Sequence, residues 1–201
     1  MRQRERDYAD VLGSATRVVS DAGMPFVVFG SIASSVLARP SWRPEEDIDL
    51  LLRPDDVRAA VGALDAAGFD TMEHDPTWIF KATRDGITVD LIFRAAEDVF
   101  LDDEMLERAP ATEFLGVPVR LIPPEDLAVV KAMLHSEDRG WDWFDAIAIL
   151  RRGELDWDYL VARARLHGPR RVASLRLNAL SAGAAVPAGA VRELVESAAA
   201  G

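Results

Sequence analysis

The hydrophobic pattern of the chain changes once, close to residue 122. Before that position, short apolar runs alternate with turn signals and with stretches of helical spacing. Apolar side chains that recur three and four residues apart indicate an amphipathic helix, whereas alternation or a short apolar run indicates a strand. The pattern therefore predicts a first region of mixed helices and strands, followed by a region of helices alone.

Helices are predicted in the first region where apolar or small residues follow helical spacing. The N-terminal stretch carries one apolar stripe and stops at Gly23, a usual residue for a helix end. Pro54 and the acids after it begin another helix, because proline and negative charge suit a helix start. The helices predicted in this region cover residues 4–22, 31–38, 54–67 and 98–108.

Strands are predicted where short apolar runs are bounded by glycine, proline or charged residues. The sequence Arg84-Asp85-Gly86 is a turn signal between two of them. The next strand carries Asp90, a residue type that strands disfavour, so Asp90 requires a specific explanation. The predicted strands cover residues 25–29, 47–52, 69–72, 78–83 and 87–93, and residues 112–115 and 117–121 form a hairpin or edge strands.

Helical spacing alone continues from residue 123 to the end of the sequence. The predicted helices cover residues 124–135, 138–151, 155–166, 169–180 and 188–199. The expected fold class is α+β, with a small mixed β-sheet and packed helices followed by a C-terminal helical bundle. We expect a core at residues 1–122 and a helical region at residues 123–201.

The composition of the 201-residue chain is that of a globular protein, with 49% hydrophobic and 28% charged residues. No apolar run is long enough to span a bilayer, and the charged start MRQRERDYAD lacks the apolar segment of a secretory signal. The absence of cysteine fits a cytoplasmic protein. A net charge of −11 argues against a general nucleic-acid binder and favours a cationic partner. We therefore expect a cytoplasmic protein without a membrane partner.

Asp47 and Asp49 are the first candidates for a functional site. They alternate with Ile48 and Leu50 along a predicted strand, so both carboxylates lie on one face and the apolar side chains on the other. An isolated Asp-x-Asp is more often a solvated strand end. Two carboxylates one pleat apart repel each other, and Mg²⁺ prefers hard oxygen ligands of this kind.

Gly30 and Ser31 stand where the first strand gives way to a helix. Free backbone N–H groups at a helix start bind phosphate. Gly30 as a plain turn residue and Ser31 as a plain N-cap would have the same geometry, so those interpretations do not exclude phosphate binding. Carboxylates for a metal beside a phosphate site indicate nucleotide chemistry.

An apolar strand, Gly30-Ser31, a spacer and then Asp47-Ile48-Asp49 together resemble the nucleotidyltransferases of the polymerase-β superfamily. The match covers residues 25–93, and Asp90 in the sequence GITVDLIF fits the third carboxylate of that family. The resemblance implies two Mg²⁺ ions, or Mn²⁺, with Asp47 and Asp49 binding both metals and the triphosphate. It also implies that Asp90 binds one metal and acts as the general base toward the acceptor.

Lys131 is a candidate triphosphate ligand on the same resemblance. Lys81 and Lys131 are the two lysines of the sequence, against twenty-one arginines. Lys131 lies at the edge of the apolar stripe of a predicted helix, where a snorkelling lysine is the alternative interpretation. Asp142 and Asp145, three residues apart on the next helix, are expected to orient Lys131 or a neighbouring arginine.

The resemblance implies a Mg²⁺-dependent enzyme that transfers a nucleoside monophosphate from a nucleoside triphosphate, such as ATP, to a hydroxyl, with release of pyrophosphate. Size and acidity are similar to those of the small antibiotic-modifying nucleotidyltransferases, so we expect a small, cationic acceptor. The acids at positions 98, 102, 103 and 104 are possible contacts for it.

Two other functions fit the same sequence. A toxin-type nucleotidyltransferase, related to abortive-infection proteins, would modify tRNA or protein. It would use the arginines of residues 151–176, with Arg39 and Arg43 as possible phosphate contacts. A non-catalytic nucleotide-binding module would have no need of Asp47, Asp49 and Asp90 together.

Overall fold

The structure is a computed structural model that describes residues 3–38, 47–96, 98–136, 140–151 and 154–200. The chain divides into two compact units. One holds the chain up to Ile122 except for two short segments, and the other holds the chain from Pro123 onward together with those segments. The division into a catalytic core and a helical region stays a prediction.

The first unit is built on a five-stranded mixed sheet of strand order β1-β2-β5-β4-β3. Strands β2 and β5 run parallel, and every other neighbouring pair is antiparallel. A two-stranded sheet, β6-β7, lies in the same unit. The strands are β1 Phe26–Val28, β2 Asp47–Leu52, β3 Asp70–Asp75, β4 Ile79–Arg84, β5 Ile87–Ile92, β6 Ala111–Phe114 and β7 Val117–Arg120.

A two-residue turn joins β4 to β5. Both turn residues, Asp85 and Gly86, have positive φ, at 54° and 73°. Positive φ at both positions is the conformation that matches the right-handed twist of a hairpin, and Asp-Gly is a favoured sequence for it. The turn sets the register of the two strands, in which Lys81 is the partner of Asp90.

Among the described residues before position 122, the helices are α1 Gln3–Asp21, α2 Gly30–Leu37, α3 Val57–Ala66 and α4 Asp103–Arg108. The apolar stripe of α1 is buried in the core, as Val11, Leu12 and Val19 show. Each large apolar side chain buried in this way stabilises a fold by about 1.5–3 kcal/mol. Tyr8 on α1 donates a hydrogen bond of 2.7 Å to the backbone oxygen of Asp47, which fixes the start of β2.

The second unit contains the helices α5 Pro124–Leu134, α6 Gly140–Arg151, α7 Trp157–His167, α8 Pro169–Ser181 and α9 Ala188–Ala200. Proline begins both α5 and α8, where its missing N–H costs no hydrogen bond. Leu127, Leu160 and Leu175 are fully buried in this unit. Throughout the described residues, no helix is both long and apolar enough to cross a membrane.

The predicted α+β class is confirmed, and the differences lie at element ends. The helix expected over residues 98–108 begins only after Asp102, whose carboxylate caps it by accepting from the N–H of Met105 at 2.8 Å. Strand β3 extends to Asp75, beyond the expected end at residue 72. The residues that lengthen it are polar because β3 is an edge strand with mostly exposed side chains, so they show no strand alternation.

Candidate active site

Gly30 makes the turn between β1 and α2, and the Asp49 carboxylate packs against that turn. The residue has φ of +58°, in the left-handed region that side chains disfavour. A Cβ at this position would lie 2.6 Å from Cγ of Asp49 and closer still to its Oδ2. The Phe29 N–H also donates to the backbone oxygen of Asp49 at 3.0 Å. Glycine is therefore required for the turn to approach the carboxylate this closely.

Ser31 follows directly, in the first turn of α2. Its hydroxyl oxygen is buried, and no hydrogen-bond partner for it lies among the described residues. A buried polar group normally has a partner, so this hydroxyl is suited to a ligand group at the helix start. The predicted phosphate-binding pair thus has the expected backbone setting at the start of a helix.

The parallel pairing of β2 with β5 brings the predicted carboxylates to one face of the sheet. Asp49 and Asp90 are register partners, and Asp47 lies two residues earlier on the same face of β2. Asp47 and Asp49 are partly exposed, whereas Asp90 is buried. Residues that are distant in sequence therefore meet across two neighbouring strands.

Burial raises the pKa of the Asp90 carboxyl above its ordinary value, and the negative charge of Asp47 adds to that rise. Lys81 on β4 opposes the shift by hydrogen bonding and by its charge. Its ammonium donates to both oxygens of Asp90, at 2.8 and 2.9 Å. The site thus pairs its most buried carboxylate with a cation.

The chemistry of this face suits a divalent metal, because carboxylate oxygens are the donors that Mg²⁺ and Mn²⁺ prefer. Asp49 and Asp90 stand side by side, and the unpartnered Ser31 hydroxyl lies one residue from the turn that touches Asp49. Within the described ranges, no three Asp, Glu or His side chains converge as a ready metal-binding group. The donors fit the predicted metals, while the Asp90 oxygens are engaged by Lys81.

Lys131 on α5 lies in the second unit, in contact with the two acids of α6. Its ammonium donates to Asp142 at 2.6 Å and forms an ion pair with Asp145 at 3.4 Å. Its side chain is 12% exposed, and those of Asp142 and Asp145 are 7% and 3% exposed. The two acids therefore hold the lysine, as expected, and triphosphate binding by Lys131 stays a prediction.

Sequence reasoning missed one feature in each of the two units. One is the contact of Lys81 with Asp90, which the Asp85-Gly86 turn would have revealed through the hairpin register. The other is a buried network on α5 and α7, in which Asp126 accepts from Tyr159 at 2.6 Å and from Arg163 at 2.5 Å. Asp126 lies 33 and 37 residues before Tyr159 and Arg163, so the three form no local motif.

The arginines of residues 151–176 do not form a continuous exposed surface. Arg163 and Arg176 are buried, and burial lowers the pKa of Arg176 to about 10, against the opposing charge of Glu193. Arg176 also lies over the Trp157 ring at 4.7 Å. These two arginines are therefore not available to contact RNA, as the toxin-type alternative would require of them. Arg39 and Arg43 lie outside the described residues.

Most of the acids proposed as acceptor contacts have structural partners instead. Asp102 caps α4, Asp103 forms an ion pair with Arg53, and Glu104 pairs with Arg108 at 3.1 Å. Each of the three acids thus has a partner within the first unit. They therefore support no specific acceptor site.

The glycine–serine turn, the Asp-x-Asp strand and the neighbouring carboxylate strand all lie within the part of the chain that matches a known protein family. Residues 1–180 match the model of a family described as uncharacterised nucleotidyltransferase. The chain belongs to this nucleotidyltransferase family. No curated protein matches the chain in sequence. The predicted membership of the polymerase-β superfamily is confirmed, and transferase is the class of enzyme to which the family belongs.

The fold of this nucleotidyltransferase is similar to that of a solved antibiotic-resistance factor, and two further solved structures match with TM-scores below 0.5. The solution structure of the antibiotic-resistance factor ANT(2'')-Ia has 17% identity and a TM-score of 0.54, and the match covers 89% of this chain and 94% of that one. The lincomycin-bound lincosamide adenylyltransferase LnuA has 14% identity and a TM-score of 0.48, covering 74% and 98%. An antigenic nucleotidyltransferase-like protein from Paracoccidioides brasiliensis has 17% identity and a TM-score of 0.48, covering 86% and 92%.

Proposed function

We propose that this nucleotidyltransferase transfers a nucleoside monophosphate from a nucleoside triphosphate to a hydroxyl of a small, cationic acceptor and releases pyrophosphate. One observation carries the proposal: the Gly30 turn packs against Asp49, which is the register partner of Asp90. The start of α2, our proposed phosphate site, therefore lies beside two carboxylates. A module that only bound nucleotide would not need the buried Asp90.

Each residue of the site has a distinct part in the proposed binding. The N–H groups at the start of α2 and the Ser31 hydroxyl bind phosphate oxygens, helped by the positive end of the helix dipole. Two divalent ions held by Asp47, Asp49 and Asp90 would stabilise the charge that develops on the attacking and leaving oxygens. Lys131 binds triphosphate oxygens through charge-assisted hydrogen bonds.

Asp90 is the proposed general base. The acceptor oxygen forms a bond to the α-phosphorus, the bond from that phosphorus to the bridging oxygen breaks, and pyrophosphate leaves. The acceptor hydroxyl proton passes to Asp90 Oδ1 or Oδ2. A general base must lie within hydrogen-bond reach of the acceptor hydroxyl, and Asp90 provides a carboxylate on the same face as Asp47 and Asp49.

Charge and fold together direct the choice of acceptor. The net charge of −11 attracts cations and repels nucleic acid. The fold similarity to an antibiotic-resistance factor makes small antibiotics the first acceptors to test. Modification of tRNA is less favoured, since Arg163 and Arg176 are buried and cannot bind its backbone.

The experiment is transfer of label from each α-labelled nucleoside triphosphate, with Mg²⁺ or Mn²⁺, to aminoglycosides, lincosamides, tRNA or protein. Asp49→Asn is the control, because it keeps the size of the side chain and removes its charge. We expect labelled small acceptor and pyrophosphate from the native chain, and neither from the variant. Label on tRNA or protein would establish the toxin-type activity, and nucleotide binding without turnover on any acceptor would establish the binding module.

A further inference from the structure

Lys81 places a fixed positive charge on the carboxylate face of the sheet. It lies on β4 as the register partner of Asp90 on β5, and its ammonium contacts both oxygens of that carboxylate. The Lys81 side chain is 23% exposed and the Asp90 side chain 9%. A lysine in contact with both oxygens of one buried carboxylate restricts the rotation of that carboxylate.

The position of this charge matters because Asp47, Asp49 and Asp90 occupy the same face. Three carboxylates so placed repel one another, and the charge of Asp47 acts on Asp90. The ammonium relieves part of that repulsion. It does so through the same Asp90 oxygens that a divalent ion would bind.

We propose that Lys81 is a built-in counter-ion that orients Asp90 in the metal-free protein and lowers the affinity of this face for a divalent metal. The inference rests on the proposed function, since it concerns the metals assigned to Asp47, Asp49 and Asp90. The ammonium and a divalent ion on one carboxylate carry like charge, so each weakens the binding of the other. Lys81 is therefore a positioning residue.

The Lys81 ammonium also affects the order in which the metal and the nucleotide bind. A nucleoside triphosphate brings negative charge that offsets the ammonium. The metal accordingly binds weakly to the free protein and tightly together with the nucleotide. This arrangement keeps Asp90 oriented and offsets part of the negative charge of the face until the triphosphate arrives.

The test is a Mn²⁺ titration of the full chain without nucleotide, followed by electron paramagnetic resonance of free Mn²⁺. Lys81→Met removes the charge and keeps the length, and the Kd for Mn²⁺ should fall by about tenfold or more. Lys81→Arg keeps the charge and should bind Mn²⁺ as the native chain does. Lys81→Gln, which also lacks the charge, is measured alongside so that the test does not depend on the folding of one variant.

Arg84→Met is the matched control, because it removes the same charge from the same strand. Arg84 lies over the Phe69 ring at 4.2 Å, on the face opposite to Lys81, so its loss should leave the Kd within about twofold.

Melting temperatures without metal provide the second measurement. Lys81→Met should melt at a lower temperature than the native chain and should gain more on addition of Mn²⁺.

The outcomes separate the inference from the proposed function. A lysine with a structural role alone would lower the melting temperature and leave the Mn²⁺ affinity unchanged or weaker, which would overturn the inference. The Asp49→Asn variant tests whether the bound ion lies on this face, because it removes the charge of one carboxylate there. Mn²⁺ binding that Asp49→Asn abolishes, but that is equal in the native chain and Lys81→Met, would refute the inference alone. No Asp49-dependent binding in any variant would refute both.

Discussion

Asp90 is the residue at which burial, charge and position combine. It is buried on β5, it neighbours Asp49 across the parallel pairing, and Lys81 contacts both its oxygens. A carboxylate in a central strand costs stability, so its presence there favours a chemical role. The same position makes it possible to separate a catalytic role from a structural one by a small substitution.

Asp90→Asn should lower the rate of transfer by about 10²-fold or more, because an amide cannot accept the acceptor proton. The shape of the side chain is kept, so nucleotide binding should largely survive. Initial rates with labelled triphosphate and an equilibrium binding measurement check the two effects separately. A normal rate in Asp90→Asn would show that another group is the base.

Gly30→Ala should lower both transfer and stability, while Gly62→Ala serves as its control. A Cβ at Gly30 meets the Asp49 carboxylate, and its φ of +58° costs an alanine about 1–2 kcal/mol. Gly62 lies inside α3, where an added Cβ meets nothing within 4 Å, so alanine should stabilise the fold by about 0.5–1 kcal/mol. Urea denaturation and transfer rates check both variants, and equal behaviour would contradict the assigned role of Gly30.

At the scale of elements, helices α5 and α6 hold charged groups away from water. Lys131 on α5 contacts Asp142 and Asp145 on α6, and all three side chains are largely buried. Burying charge is costly unless it is paired, and removing one partner commonly costs several kcal/mol. These contacts are therefore sensitive points of the second unit, whatever ligand Lys131 binds.

Lys131→Met should weaken triphosphate binding by about tenfold or more, as the charge-assisted hydrogen bonds are lost. It should also destabilise the fold, because Asp142 and Asp145 stay buried without the ammonium. Lys131→Arg should restore part of the affinity, since the guanidinium keeps the charge but is wider and planar. The affinity for triphosphate is measured below the melting temperature of each variant. A native affinity in Lys131→Met would show that Lys131 has only a structural role.

Two arginines on α7 offer a matched test of buried against exposed charge. Arg163 is buried on Asp126, so Arg163→Ala should destabilise by about 3–5 kcal/mol. Arg165 is 47% exposed in its pair with Glu193, so Arg165→Ala should cost about 0–1 kcal/mol. Chemical denaturation measures both. Similar costs would show that the Asp126 network adds little to stability.

At the scale of the whole molecule, charge and ligand binding are linked to stability. The chain carries a net charge of −11, and its carboxylate face holds like charges together. A metal–nucleotide complex that binds only the folded state stabilises it by mass action. Ligand binding should therefore be visible as a change in thermal unfolding.

Mg²⁺ with the correct nucleoside triphosphate should raise the melting temperature by about 5–10 °C at a concentration one hundred times Kd. Thermal melting is compared with Mg²⁺ alone, with triphosphate and chelator, and with Asp49→Asn. The shift should need both components and should disappear in the variant. No shift at millimolar ligand would count against the whole assignment of the site.

The sequence by itself determined those features that depend on local backbone geometry. Alternation along a strand places Asp47 and Asp49 on one face, and Gly30-Ser31 after an apolar run indicates a turn into a helix. The Asp85-Gly86 turn also determines the register of β4 and β5, because a two-residue hairpin loop allows only one pairing of the strands. The contact of Lys81 with Asp90 that results from this register became apparent only in the structure.

The tertiary structure alone decided which distant residues meet and which are buried. The parallel pairing that sets Asp49 beside Asp90 arises from packing across the sheet, and no local pattern encodes its register. The burial of Arg163 and Arg176 likewise depends on which helix faces cover them, so arginines expected at the surface became part of the core. Local periodicity reports the conformation of a segment, whereas burial and pairing depend on the other segments that pack against it.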